Sequence, residues 1–288
     1  HDAEAVRALG ADVLGGSGDR KGFLDAVIAT AEDRQHRQRL DEALKRREFE
    51  ILPAGGLEER TRAMLKVQDG CVNFCSYCII PYTRGPIRSA PLELAVEQAK
   101  ELASRGYKEI VVTGIEIAGW GKDLPGKPPV SQLIKAVCEA VPQLRVRLGS
   151  LEPRIVTEDF CRELSGYPNL CPHFHLSMQS GCSATLARMK RKYNARQAEA
   201  AMARVRAAIP QVQFTTDMIV GFPGETEEEF IPLQERISLG RELYNAFRKL
   251  DILQELIEDE EITEIMVNGY DHIFIEKQGK IYPYEKNS

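Results

Sequence analysis

Between Asp69 and Arg84 the chain reads D-G-C-V-N-F-C-S-Y-C-I-I-P-Y-T-R, and this stretch carries the residues best suited to chemistry. Cys71, Cys75 and Cys78 stand in a C-x3-C-x2-C array. Loops this short let three thiolates meet at one soft metal centre for little closure entropy. A tetrahedral zinc site or a cubane iron–sulfur cluster ordinarily takes four protein ligands. No fourth ligand is evident nearby, so the spacing points to a cluster with one iron left open for another molecule. Three unrelated buried thiols are the bland alternative; the spacing, with Tyr77 just before the last Cys, argues against it.

The elements that must position this loop can be read from periodicity. The apolar run Ala63-Met64-Leu65-Lys66-Val67 leads into it. Helical spacing then recurs at Pro91 to Arg105, Val130 to Val141, Thr157 to Leu164, Ser183 to Met189 and Ala195 to Ala208. Between these lie short strand-like runs at Glu109 to Gly114, Leu144 to Leu148, His173 to Ser177 and Val212 to Val220. Strands and helices alternating at this period predict an α/β fold, a parallel barrel or open sheet, with chemistry at the carboxyl ends of the strands. The Cys loop sits at the first such end. Four further ends carry Gly114-Ile115-Glu116, Gly149 to Arg154, His175 to Gly181 and Asp217 to Glu225. Glycine there admits a ligand to the backbone, while Ser, Glu and Gln offer hydrogen bonds to hydroxyl, amine and carboxylate groups.

Composition bounds the answer. The 288 residues are 43% apolar and 28% charged with a net charge of −5, so no global basic field advertises nucleic acid. Seven cysteines, an odd number and not spread like a secreted disulfide scaffold, favour a reducing cytoplasm and metal or redox use. No stretch of about eighteen apolar residues predicts a membrane span. The chain opens on His1 with no apolar leader, which reads as a fragment or a trimmed chain. Residues 1–30 look like the last unit of an α/β domain: a helix, an apolar step ending at Gly15-Gly16, then a helical stretch from Lys21 to Thr30. A phosphate loop at Gly15-Gly16-Ser17-Gly18 lacks the following Lys-Ser or Lys-Thr. Residues 31–60, dense in Arg, Glu and Gln, are expected to be a solvated linker or exposed helix, with a basic arm on RNA phosphates as the alternative.

The Asp69 to Arg84 stretch, with R-L-G-S-L-E-P, C-P-H-F-H-L-S-M-Q-S-G, M-K-R-K-Y and T-T-D-M-I-V-G-F-P-G-E-T-E-E-E-F, resembles the radical S-adenosylmethionine (SAM) tRNA methylthiotransferases. The wording of Leu148 to Arg154 and Pro172 to Gly181 is closest to the branch that modifies N6-threonylcarbamoyladenosine at position 37, and coverage runs from about Ala3 to Phe230. The resemblance implies a partial radical-SAM (β/α) barrel over residues 61–230. It implies a [4Fe–4S] cluster on Cys71, Cys75 and Cys78, SAM on the open iron, tRNA as substrate and an electron donor such as a flavodoxin or ferredoxin. By position it places Tyr77, Gly114, Glu116, Ser150, Glu152, Gln179 and Arg191 in the SAM pocket. It makes Arg84, Arg88, Lys190 and Lys192 candidate tRNA phosphate contacts. His173 and His175, facing one way on a strand, could be zinc ligands, with a packed or RNA-facing role preferred.

The chain departs from that family at both ends. In that family a second, sulfur-donating cluster sits on three cysteines of an amino-terminal domain; the resemblance assigns only residues 1–27, which hold no Cys, to that domain, so sulfur insertion by this chain alone is not expected. Cys138, Cys161, Cys171 and Cys182 do not match those ligands and are read as free or buried thiols. Residues 231–288 are expected to comprise a junction helix to Lys249 and a small α+β module. Leu250 to Tyr284 resembles the amino-terminal domain of secretion and pilus-assembly ATPases, which implies a contact with secretion machinery; no G-x4-G-K-[ST] occurs, so no nucleotide hydrolysis is expected. Two alternatives to a radical enzyme are kept: an interaction protein presenting this module, and a zinc protein using the three cysteines and a histidine.

Overall fold

Strand β3 (Arg62–Lys66) buries Ala63 and Leu65 and leaves Arg62 and Met64 exposed, and β7 (Arg145–Leu148) buries Val146 and Leu148 while Arg145 stays open. This period-2 pattern gives each strand one face against helices and one face on a concave interior. The computed structural model describes residues 6, 8, 10–53, 61–227, 229, 261–267, 273–277 and 280–283. They belong to two units, His1–Glu225 and Thr226–Ser288.

In the first unit β3, β6 (Glu109–Thr113) and β7 are parallel, with Arg62 opposite Glu109 and Glu109 opposite Arg145. Strands β8 (His173–His175) and β9 (Gln213–Thr215) form a second parallel pair. Single bridges Val146↔Leu170 and Leu151↔Leu176 carry the arc from β7 to β8. Five parallel strands in chain order, alternating with helices, make the partial (β/α) barrel that the sequence predicts. Strand β9 is shorter than the expected Val212 to Val220, because the chain beyond Thr215 turns to bond Gln179: Gln179 N–H donates to Asp217 O (3.0 Å) and Ile219 N–H to Gln179 O (2.9 Å).

Helix α3 (Leu92–Ser104) seats Ala95, Ala99 and Leu102 in the core, and α4 (Val130–Ala140) seats Val130, Leu133, Ile134 and Val137. Both follow a proline, Pro91 or Pro129, which is preorganised for a helix start. Helix α5 (Glu158–Leu164) has Thr157 as cap, its side chain accepting from Phe160 N–H at 3.1 Å, and α7 (Ala195–Ala208) has an Asn194–Gln197 capping box. On the concave face Glu109 holds Arg62 (2.8 Å), Arg147 (2.8 Å) and Arg145 (3.2 Å).

Ahead of the barrel, β1 (Val13–Gly15) and β2 (Arg37–Arg39) pair in parallel around α1 (Arg20–Asp33), a β-α-β unit. Within the segment expected to be a solvated linker or helix, β2 pairs with β1, while most of residues 31–53 are exposed. β2 satisfies its backbone against β1, Arg37 bonds Asp33 (2.7 Å), Arg20 bonds Glu50 (2.6 Å) and Arg46 bonds Asp41. Pairing absorbs cations that composition alone assigns to solvent or RNA.

The second unit contains β10 (Ile262–Val267), β11 (Ile273–Lys277) and β12 (Lys280–Pro283), an antiparallel meander in which Ile275 lies opposite Tyr282. The expected junction helix, residues 231–249, and the Asn268-Gly269 turn lie outside the described residues. Among those described, no helix is long and apolar enough to cross a membrane.

Candidate active site

The Cys loop is held at its root by a buried carboxylate. Strand β4 (Gln68–Asp69) pairs with β5 (Arg88–Ser89), and Asp69, 3% exposed, accepts from Lys66 (2.6 Å) and from Arg84 Nη2 (2.6 Å), with Arg88 at 3.6 Å. Burial opposes its charge, but Arg84 and Lys66 more than offset this and hold its carboxyl down at about 2. Gly70 then turns the chain with φ +75°, and a Cβ there would stand 1.9 Å from Pro86 O, so no other residue fits.

The far side of the loop is tied to a distant turn. Ser76 N–H donates to Met189 O (3.1 Å) and Ser76 Oγ to Arg188 O (2.8 Å), just past helix α6 (Ser183–Arg188). Arg191 comes next, donating from Nη2 to Ser177 O (2.7 Å) and from Nη1 to Cys75 Sγ (3.5 Å), with its guanidinium 5.0 Å from the centre of the Tyr193 ring. Neither Ser76 nor Gln68 is marked by sequence reasoning. Gln68, fully buried, accepts from Glu116 N–H (2.8 Å) and donates to Asp69 O (2.9 Å) and Gly70 O (2.6 Å), so it joins the Cys loop to the next strand end. A lone Gln before a cysteine motif carries no periodic or spacing signal that could have exposed it.

The remaining candidates divide. Gly114 packs on Gln68 so closely that a Cβ would meet its side chain at 2.9 Å. Beyond it, Glu116 is driven up to about 7 by burial and by the nearby Glu152. Glu152 is buried and ion-paired with Arg154. Tyr77 and Ser150 are exposed, and Tyr77 meets Phe222 edge-on at 6.2 Å. Gln179 takes a left-handed φ of +67° as it exchanges backbone bonds with the β9 end. Lys190 and Lys192 are exposed on either side of Arg191. Arg84 and Arg88, expected as phosphate contacts, are instead turned onto Asp69, and Arg88 is only 3% exposed. A buried carboxylate outcompetes solvent for both.

His173 and His175 do share one face, as expected, and Thr215 Oγ1 lies between His173 Nε2 (3.1 Å) and His175 Nδ1 (3.0 Å). No three His, Cys, Asp or Glu side chains among the described residues converge on a point where one ion could sit. That removes the geometric support for zinc on the three cysteines and a histidine. A cubane asks something different, because each thiolate takes its own iron. Here three free, half-buried thiols lie on a loop fixed at both ends, with Asn73 N–H at 3.5 Å from Cys71 Sγ and Arg191 at the same distance from Cys75 Sγ. Donors aimed at ligand sulfurs are what a thiolate-held cluster uses. The residues fit such a group.

A half-barrel of parallel strands with this loop at its first strand end defines a class. The family model of the radical SAM superfamily matches residues 65–237, and the chain belongs to that superfamily. Within it the chain is similar to the threonylcarbamoyladenosine tRNA methylthiotransferase MtaB of Bacillus subtilis, 37% identical over 229 residues that make up 80% of this chain and 51% of that protein. It is 42% identical over 172 residues to the MtaB of Rickettsia prowazekii, covering 59% of this chain and 41% of the relative. It is also 39% identical over 173 residues to the tRNA-2-methylthio-N(6)-dimethylallyladenosine synthase of Carboxydothermus hydrogenoformans, covering 60% and 39%. The chain thus spans about half the length, or less, of these relatives. In fold it is similar to the radical SAM methyltransferase TsrM of Kitasatospora setae, solved with cobalamin and a [4Fe–4S] cluster bound. The TM-score is 0.51 at 18% identity, over 65% of this chain and 34% of that one.

Proposed function

We propose that this chain is the radical SAM core of a tRNA methylthiotransferase whose substrate is N6-threonylcarbamoyladenosine in tRNA. The observation that carries the reading is the fixed Cys loop at the mouth of the half-barrel, joined through Gln68 to the Gly114–Glu116 strand end. Cys71, Cys75 and Cys78 would hold a [4Fe–4S] cluster, leaving its fourth iron for SAM. When bound, the cluster would supply the electron for reductive, radical chemistry on SAM.

The protein's part is to bind, orient and exclude water. Gly114 lets the backbone close against Gln68, and Glu116 and Glu152 offer carboxyl groups to an amine. Tyr77, Ser150 and Gln179 line the same strand ends. Lys190 and Lys192 are free to meet tRNA phosphates, a role that Arg84 and Arg88 cannot share while they hold Asp69. The electron would come from a flavodoxin or ferredoxin. Similarity to MtaB proteins favours the threonylcarbamoyl substrate; the dimethylallyl-type relatives keep a second reading, a dimethylallyl-bearing adenosine, in play.

The test is anaerobic reconstitution with iron and sulfide, then incubation with SAM, reductant and tRNAs carrying each modification. The expected result is a brown protein with about four irons per chain that releases 5′-deoxyadenosine and acts on the threonylcarbamoyl tRNA. A protein that binds no iron would leave only the interaction-protein reading, and a preference for the dimethylallyl tRNA would replace the substrate assignment.

A further inference from the structure

Arg191 stands out because its guanidinium is spent on the frame of the site and on a cluster ligand at once. Nε donates to Tyr193 Oη (3.2 Å), Nη2 to Ser177 O (2.7 Å) and Nη1 to Cys75 Sγ (3.5 Å). Tyr193, itself buried, has its single hydroxyl proton within reach of both Ser177 O (2.7 Å) and Met178 O (2.6 Å), so the cation rests on a bonded platform at the end of β8. The Ser76 bonds to Arg188 O and Met189 O bring Cys75 to this platform. The result is a permanent positive charge delivered to one sulfur of three by a turn far away in sequence. Cys71, by contrast, receives the backbone N–H of Asn73 and no side-chain donor among the described residues.

We propose that Arg191 is a positioning residue that sets the reduction potential of the cluster through Cys75, beyond any contact it makes with SAM. The inference rests on the cluster assignment in the proposed function. A guanidinium stays charged at every accessible pH. Reduction adds one negative charge to the cluster, and a fixed cation beside a ligand sulfur stabilises the reduced form more than the oxidised one. Hydrogen bonds to sulfur and local net charge are among the levers that set such potentials. The device would suit a site whose cluster must be reduced before it acts.

The experiment is an electron paramagnetic resonance redox titration of the reconstituted full chain without SAM, so that cofactor binding does not enter. In Arg191→Gln the midpoint is expected to move negative by about 59 mV, a tenfold loss of reduced over oxidised cluster for a one-electron couple, with iron content unchanged. Tyr193→Phe, which removes the Nε acceptor but not the guanidinium charge or its Nη2 bond to Ser177 O, is expected to shift the midpoint by clearly less. An unchanged midpoint in Arg191→Gln, or an equal shift in Tyr193→Phe, would overturn the proposal. Should Arg191→Gln not fold, the unmutated protein decides. After labelling with 15N-arginine, the reduced cluster should show a hyperfine coupling to arginine nitrogen, and its absence is equally fatal. A chain that assembles no cluster overturns this inference together with the proposed function, whereas a normal cluster without the shift or the coupling overturns this inference alone.

Discussion

Glu116 is a candidate-site residue whose chemistry the fold changes. Burial and the nearby Glu152 raise its pKa from 4.5 to about 7. The folded state therefore holds this proton more tightly than the unfolded chain does. Its stabilising contribution is complete below pH 4.5 and is lost as the pH rises through 7, by up to about 3 kcal/mol. Glu116→Gln cannot ionise, so its melting temperature is expected to match that of the parent near pH 5 and to exceed it near pH 8.5. Melting curves at the two pH values check this, and a constant difference between the proteins would contradict it. Single residues were also where sequence reading was weakest. Arg84 and Arg88 look like any surface cations until the fold puts Asp69 between them. The three cysteines are singled out by spacing, which restricts what three thiolates can do, and the fold ties their loop through Ser76 to Arg188 and Met189.

At the scale of elements the sequence was more legible. Ala195 to Ala208 is a helix with the expected bounds, and the ends of the other barrel helices lie within one residue of expectation, because buried positions at helical spacing and flanking prolines are local signals. The β2 pairing within residues 31–53 was missed because charge density says nothing about a backbone partner far along the chain, here Val13–Gly15. The elements around the Cys loop share one electrostatic joint. Asp69 on β4 gathers Lys66 from the end of β3, Arg84 from α2 (Ile80–Arg84) and Arg88 on β5. Asp69→Asn leaves three cations facing a neutral amide, a loss of about 3–5 kcal/mol for a broken buried pair. In the metal-free protein this should lower the melting temperature by roughly 10 °C, at about 2–4 °C per kcal/mol for a unit of this size. A variant that melts with the parent would show that the joint adds nothing.

For the whole molecule, each of the two units closes its own hydrogen-bonded sheet, β3-β6-β7 and β8-β9 in one and β10-β11-β12 in the other. A chain ending at Glu225 is therefore expected to keep the thermal transition of the barrel within about 4 °C, the shift that 1 kcal/mol produces. A larger fall, read by calorimetry, would show that the barrel draws stability from residues 226–288. The half-barrel was legible from alternating periods, while the role of the second unit was not, since a three-stranded meander is compatible with many surroundings. The Ser76 tether also bears on how the protein is made. Ser76 is anchored to Arg188, 112 positions further on. A ribosome adds about 5–20 residues each second, so the thiols leave it roughly 6–20 s before their anchor exists. During that interval the nascent loop has neither its tether nor Arg191, and iron delivered then would meet an unshaped site. A cluster on this loop would on that order of emergence find its shaped site only after α6 has been synthesised.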